Sequence, residues 1–402
     1  MRVALIHTWD SSSDVGDRVW SALCRAWPNA DRFTSDIWQS TDVDGWRETA
    51  PRRLQLLGQG LPRQNQLLSR LPLDPDRHSV LLSGYDVVIS TSVAAAQMVS
   101  VEADAAHLCF MGTEAVHHPR QTIRQPAPTV PPSSVSPMDQ VPSLYQHHAE
   151  EFSLPAATSG VTHFLATSHT VAAQYHFDLH HQPYAVLYPP IDTTFFRPGP
   201  EAHANYYLLV CHPGVAVDVG LVIAACEAAQ RDLVILGGEC LRDQVGVLSQ
   251  RVRWEPLPAD FELRSHMRHC RALLSVAPTG MDPALVEAQA CGTPVIAYHG
   301  ASTEQFVLDA ERTGLGTGLF FHTMTANSLV SAMRELERRP QNISAVLSLA
   351  QAEKFSPAHF EHGLASQLAR WCRDRSVIEW KPAPTIPLPS QAEPAGQRLR
   401  AA

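Results

Sequence analysis

Short apolar runs, polar loops and stretches of helical spacing alternate along the chain in two successive series. Residues 2–7 read as a buried strand, followed by a polar loop over 8–17 and a helix with Val19, Trp20, Leu23 and Cys24 on one face. Residues 86–90, 106–111, 162–168 and 184–188 predict further strands, with a helix opening at Thr170. A second series begins with a strand over 206–210 and continues with strands over 232–238, 251–255 and 317–321. Helices are predicted over 215–229, 259–270 and 357–372, the last with Phe360, Leu364, Leu368 and Trp371 in register. Strand and helix alternation of this kind predicts an α/β protein with parallel sheets.

The most informative unit is residues 273–298. A buried apolar strand runs into a Pro/Gly turn, then into a short helix with Asp282 as N-cap and Pro283 at its first position. Gly292 stops that helix, and a second apolar strand follows. In such a βαβ unit the loop lies at the carboxyl end of a parallel strand and feeds a helix N-terminus. Open α/β sheets bind ligands there, and anions are favoured.

A length of 402 residues with 45% hydrophobic content suffices for two domains with separate cores. The first residues form a strand rather than a signal peptide and no run of ~18 apolar residues occurs, so a soluble cytoplasmic protein is expected. A formal charge of −9 argues against nucleic acid as the main partner. Eight cysteines without C-x-x-C spacing, among them Cys211, Cys226 and Cys291 inside apolar patterns, read as reduced core thiols. Twenty histidines include the adjacent pairs His117-His118, His147-His148 and His180-His181, whose rings project apart; scattered surface histidines are expected rather than a metal centre. Residues 52–73 carry Arg52, Arg53, Arg63 and Arg70 among leucines. They read either as a surface for an anionic membrane or lipid-linked acceptor, or as a helical hairpin with a solvated polar face. Seven prolines within 119–142 predict an extended loop, and the Pro/Ala/Ser-rich residues 376–402 a disordered tail.

The motifs resemble those of family 4 glycosyltransferases, in particular a mannosyltransferase-like subgroup. The tail Glu287-Ala288-Gln289-Ala290-Cys291-Gly292-Thr293-Pro294-Val295-Ile296-Ala297 is similar to the family's Glu-Ala-x-Ala-x-Gly-x-Pro-Val-Ile-Ala region. Gly84-Tyr85-Asp86-Val87-Val88-Ile89-Ser90-Thr91-Ser92 and Leu187-Tyr188-Pro189-Pro190-Ile191-Asp192 also match, the latter at the interdomain linker. The resemblance implies the GT-B fold: α/β, with two Rossmann-like domains facing each other across a cleft. Residues 1–190 would form an acceptor-side domain, 199–356 a nucleotide-sugar domain, and 357–375 a helix crossing back to the first.

It also implies a retaining, metal-free and cofactor-free enzyme, located in the cytoplasm and peripherally at the inner face of the membrane. Such an enzyme transfers a mannose-like hexose from a GDP-mannose-type nucleotide sugar to a cell-surface polysaccharide or lipid-linked glycan, with a partner glycosyltransferase as a further interaction. Several family positions depart from the pattern. The family's donor-clamping Arg and Lys fall on His212 and Val217, its first Glu on Thr279, and a glycine near the helix start on Asp282. The family's histidine beside the reacting sugar falls on Gly112, with Thr113 retained next to it, and one of two loop glycines survives as Gly16. Gly238 belongs to the donor side, and Glu287 would bind the ribose hydroxyls. One opposite charge near a phosphate is worth about 4 kcal/mol at ~4 Å with an effective dielectric of about 20. Loss of two cations and gain of Asp282 therefore predicts a weakened diphosphate site. His212 carries charge only below about pH 6.5. Two functions follow: a divergent glycosyltransferase with a degenerate donor site, or a non-catalytic GT-B pseudoenzyme binding a partner enzyme or a glycan. A Rossmann dehydrogenase is a poor third reading, because no G-x-G-x-x-G follows the first strand.

Overall fold

A computed structural model describes residues 1–8, 14–35, 68–70, 80–97, 99–112, 160–175, 184–200, 204–212, 215, 217–242, 245–277 and 281–373. The Pro-rich segment 119–142, the tail 376–402, the three histidine pairs and most of 52–73 lie outside these residues.

The first domain contains strands β1 (Val3–Thr8), β2 (Asp31–Ser35), β3 (Leu68–Arg70), β4 (Val80–Leu82), β5 (Val87–Ser90), β6 (Val99–Val101), β7 (Ala106–Met111), β8 (His163–Ala166) and β9 (Tyr184–Val186). Its helices are α1 (Asp14–Ala26), α2 (Val93–Gln97) and α3 (His169–Tyr175). The main sheet is seven-stranded, in the order β3-β2-β1-β5-β7-β8-β9, and β4 pairs with β6 in a small separate sheet. Leu68–Arg70 thus form an edge strand against β2, where the helical-hairpin reading of the basic, leucine-rich segment expected helix.

The second domain holds β10 (Tyr206–Cys211), β11 (Asp232–Gly237), β12 (Val252–Glu255), β13 (Ala272–Ser275), β14 (Val295–Tyr298) and β15 (Gly318–Phe321), in the order β12-β11-β10-β13-β14-β15. Its principal helices are α4 (Val219–Ala229), α5 (Asp260–His269), α6 (Pro283–Ala290), α7 (Ala326–Arg338) and α8 (Ala345–Glu353); α9 (Pro357–Arg373) follows. The helix expected from residue 215 starts at Val219, because the Asp218 carboxylate accepts from the Leu221 amide at 2.9 Å and fixes the N-terminus there.

Both main sheets are parallel and covered on both faces, which explains their near-continuous apolar strands. Along β10, Tyr207, Leu209 and Cys211 point into one core and Leu208 and Val210 into the other. Helix α9 leaves the second domain and packs Phe360, Leu364, Leu368 and Trp371 into the first domain's core with Val3, Leu5, Trp20 and Leu23. In each sheet the strand order reverses beside the first strand, between β1 and β5 and between β10 and β13. Those two switch points, at the carboxyl ends of the strands, are where an open α/β sheet receives ligands.

No helix among the described residues is long and apolar enough to cross a membrane. Among the described histidines, His169, His322, His359 and His362 are exposed, whereas His7, His107 and His212 are buried. Cys24, Cys109, Cys211, Cys226, Cys270 and Cys291 are core thiols, with burial pushing the Cys226 and Cys291 thiols each up to about 12.

Candidate functional site

On the first domain's side of the cleft, β1 delivers His7 to the switch point. Its Nδ1 lies 2.7 Å from Thr91 Oγ1, just beyond the end of β5, and its Nε2 lies 3.4 Å from Asp17 Oδ1 on α1. Trp20 stacks on the imidazole with centroids 5.0 Å apart and planes 17° from parallel. The ring is therefore fixed from three directions. Gly16 is a helical residue in the first turn of α1 and is not among the positive-φ glycines, so no left-handed turn requires it. Gly112 is buried directly after β7, and Thr113 lies outside the described residues.

On the opposite side, His212 directly follows β10 and β13 leads to Asp282, the N-cap of α6. Asp282 Oδ1 accepts from the Ala284 amide at 3.1 Å, and Oδ2 accepts from Ser275 Oγ at 2.6 Å. Burial pushes this carboxyl above the ordinary carboxylate range, although the Ser275 hydrogen bond and nearby His212 oppose the shift. This alters the charge expectation: Asp282 is enclosed and drawn toward its neutral form, so it repels an anion less than an open carboxylate would.

Val217 packs partly buried against the second domain's core, where a lysine would have to carry its ammonium out of an apolar wall. The glycine pair after β11 has a packing role of its own. Gly237 and Gly238 have φ of 78° and 67°, and a Cβ on Gly238 would stand 2.9 Å from Cys211 Cβ. Only glycine lets this turn tuck against the end of β10. Thr279 lies outside the described residues.

Glu287 sits on α6 with no exposed surface. Its Oε2 lies 3.4 Å from His212 Nε2, and its Oε1 accepts from Arg18 Nη2 at 2.6 Å. Arg18 belongs to α1 of the first domain, so this charged hydrogen bond crosses the cleft. The structure thus gathers His212, Asp282 and Glu287 at one switch point, with Gly238 at the neighbouring strand end and Val217 in the wall. Arg18, His7 and Asp17 were not singled out by sequence reasoning. The available signal was position: a helix entering from the carboxyl end of β1, with Val19 and Trp20 turned to the core, leaves its first turn at the switch point.

No known protein family matches the sequence, and no curated protein is detectably similar to it. Solved structures do match. HepE from Anabaena, in complex with UDP and glucose, superimposes with a TM-score of 0.60 at 13% identity, covering 92% of this chain and 99% of that one. Sucrose-phosphate synthase from Thermosynechococcus elongatus gives 0.56 at 14% identity, covering 93% and 99%. The lipopolysaccharide outer core galactosyltransferase WaaB in its apo form gives 0.52 at 14%, covering 91% and 100%. The chain has the GT-B fold expected from its motifs, two Rossmann-like domains facing each other across a cleft.

Proposed function

We propose that this chain binds a nucleoside-diphosphate sugar at the carboxyl edge of its second sheet and acts as a glycosyltransferase with a reduced donor site. The observation that carries the reading is Glu287, a buried carboxylate on the helix behind the β10/β13 switch point of a GT-B fold. Likeness over nearly the whole chain to a structure holding UDP-glucose, with a TM-score of 0.59 at 13% identity, supports the ligand class. In the transfer itself, an acceptor hydroxyl forms a new bond to the sugar's anomeric carbon. The bond from that carbon to the diphosphate breaks, the nucleoside diphosphate leaves, and the acceptor gives up its proton. Glu287 would hold the ribose hydroxyls; His212, Val217, Asp282 and Gly238 would serve the donor side, and Gly16 and Thr113 the acceptor side. Gly112 and Thr279 stand where the family has reactive side chains. Residues 1–190 and 199–356 would be the acceptor-side and nucleotide-sugar domains. The finer reading, from the sequence motifs, is a retaining, family 4 type transfer of a mannose-like hexose from GDP-mannose to a polysaccharide or lipid-linked acceptor.

A second reading, a non-catalytic GT-B protein that binds a partner enzyme or glycan, is favoured by Val217, whose side chain packs on the core where the family has a cation. Calorimetry with UDP, GDP, UDP-glucose and GDP-mannose at neutral pH tests both. Binding of any of these supports the donor site, and product formation with an acceptor supports the enzyme. Absence of binding by the whole panel overturns the nucleotide-sugar reading.

A further inference from the structure

Glu287 is already occupied by the protein itself. One carboxylate oxygen accepts from Arg18 Nη2 at 2.6 Å, and the other lies 3.4 Å from His212 Nε2. Arg18 and Glu287 are 269 residues apart and belong to different domains, so the two sheets are tied across the cleft. A second tie lies on the hinge side. The side-chain oxygen of Gln305, from the second domain, accepts from the His169 amide at 3.1 Å and from the Tyr188 hydroxyl at 3.0 Å. The Gln305 amide nitrogen donates to Thr170 Oγ1 at 2.9 Å. The hinge contact is neutral and lies beside the linker, whereas the cleft contact is a charged pair closed on a fully buried carboxylate. A carboxylate that reads a cis-diol needs an acceptor oxygen for each of two hydroxyls. A charge-assisted hydrogen bond is roughly twice as strong as a neutral one, so hydroxyls do not displace a guanidinium without further contacts elsewhere in the ligand.

We propose that Arg18 is a built-in occupant of the Glu287 carboxylate: the ion pair latches the two domains shut in the absence of ligand, and a nucleotide ribose must displace it to bind. The ligand named here rests on the nucleotide-sugar reading; the closed latch does not. Breaking the pair in place would take the guanidinium away from a carboxylate that has no exposed surface, which is strongly unfavourable. Separation of the domains avoids that state by hydrating Glu287. Release of Arg18 and opening of the cleft are therefore one event, hinged at Gln305 and Tyr188.

The test is small-angle X-ray scattering on the full chain without ligand, for the parent, Arg18→Gln and Arg18→Lys. The expected result is a larger radius of gyration for Arg18→Gln at unchanged far-ultraviolet circular dichroism, with Arg18→Lys scattering like the parent. Uridine and guanosine, which present ribose without phosphate, are then titrated by ligand-observed NMR. The better-bound nucleoside should bind Arg18→Gln about tenfold more tightly than the parent, a factor equal to about 1.4 kcal/mol. Should Arg18→Gln fail to fold, the double variant Arg18→Gln with Glu287→Gln removes both charges of the pair and must open in the same way. A folded variant lacking the pair whose scattering superimposes on the parent's overturns the latch. Opening without nucleoside binding in either protein upholds the latch and counts against the nucleotide-sugar reading.

Discussion

Burial favours the neutral form of both Asp282 and His107, and so moves their pKa values in opposite directions. Burial lowers the His107 imidazole from 6.5 to about 4, while its Nε2 pairs with Ser90 Oγ at 2.8 Å. Between about pH 4 and 6.5 the unfolded chain binds the proton that the folded chain excludes, so stability rises with pH through that window. At about 1.4 kcal/mol per pH unit the full effect is on the order of 3 kcal/mol. Urea unfolding at several pH values should show this rise in the parent and a flatter profile in His107→Gln, whose amide can still meet Ser90. Asp282 behaves the other way. Its folded pKa is raised by burial, so between the ordinary carboxylate value and the raised one the folded chain holds the extra proton, and stability falls as pH rises. Asp282→Asn keeps a cap of comparable strength for Ala284 and has nothing to ionise. Its melting temperature should approach the parent's in acid and exceed it at neutral pH. A difference that does not grow with pH would mean that Asp282 ionises freely.

At the scale of elements, the end of the second sheet away from the cleft is fixed by Glu337, near the C-terminus of α7. It accepts from Arg231 Nε and Nη2 at 2.7 Å each and from the Tyr207 hydroxyl at 3.0 Å, and Arg271 stands 3.4 Å away. These partners come from β10 and from residues just before β11 and β13, so one carboxylate gathers three strand starts. The Arg231 hydrogen bonds hold the Glu337 carboxyl below its ordinary range. Its stabilisation is therefore present above the ordinary carboxylate pKa and is lost on acidification through the lowered one. Glu337→Gln should cost about 1.5–3 kcal/mol in urea unfolding at neutral pH, with nucleotide binding unchanged because the cleft lies at the opposite strand ends. How far elements were legible in the sequence follows from the range of the interactions that define them. β10 and β11 showed as apolar runs because both of their faces are buried, and the Asp282 cap showed because capping is local. β3, β4 and β6 are three residues each and carry no periodicity to read, and β2 opens with Asp31 and Arg32. The pairs His7 with Thr91 and Arg18 with Glu287 span 84 and 269 residues. Such contacts depend on which strand ends and which domain faces meet, a property that no local pattern encodes.

For the whole molecule, the chain path makes the stability of the first domain depend on residues that follow the second. The amide of Ile191 in the linker donates to Phe355 O at 2.8 Å, and Tyr188 meets Phe306 and Phe355 edge-on, so linker and return path are packed together. From there α9 buries Phe360 against Phe110 with ring centroids 6.0 Å apart and stacks Trp371 on His163 at 4.1 Å. Gly363 brings the helix close: a Cβ there would stand 2.7 Å from Leu187 Cδ1. The first sheet is covered on one face by α1 and α9 together, so α9 closes a core that residues 1–190 leave open by themselves. Truncating Phe360, buried at the centre of this contact, should cost about 3–5 kcal/mol through lost transfer energy and an unfilled cavity. The loss should fall unevenly. In hydrogen exchange followed by mass spectrometry, Phe360→Ala should speed exchange in β1 and β7, whose Leu5 and Phe110 share that core, more than in β11 of the second domain. Leu285→Ala, in the second domain's core, should show the opposite bias. Equal acceleration in both domains would mean that they unfold as one cooperative unit, whereas acceleration confined to α9 would mean that the helix is dispensable to the first sheet.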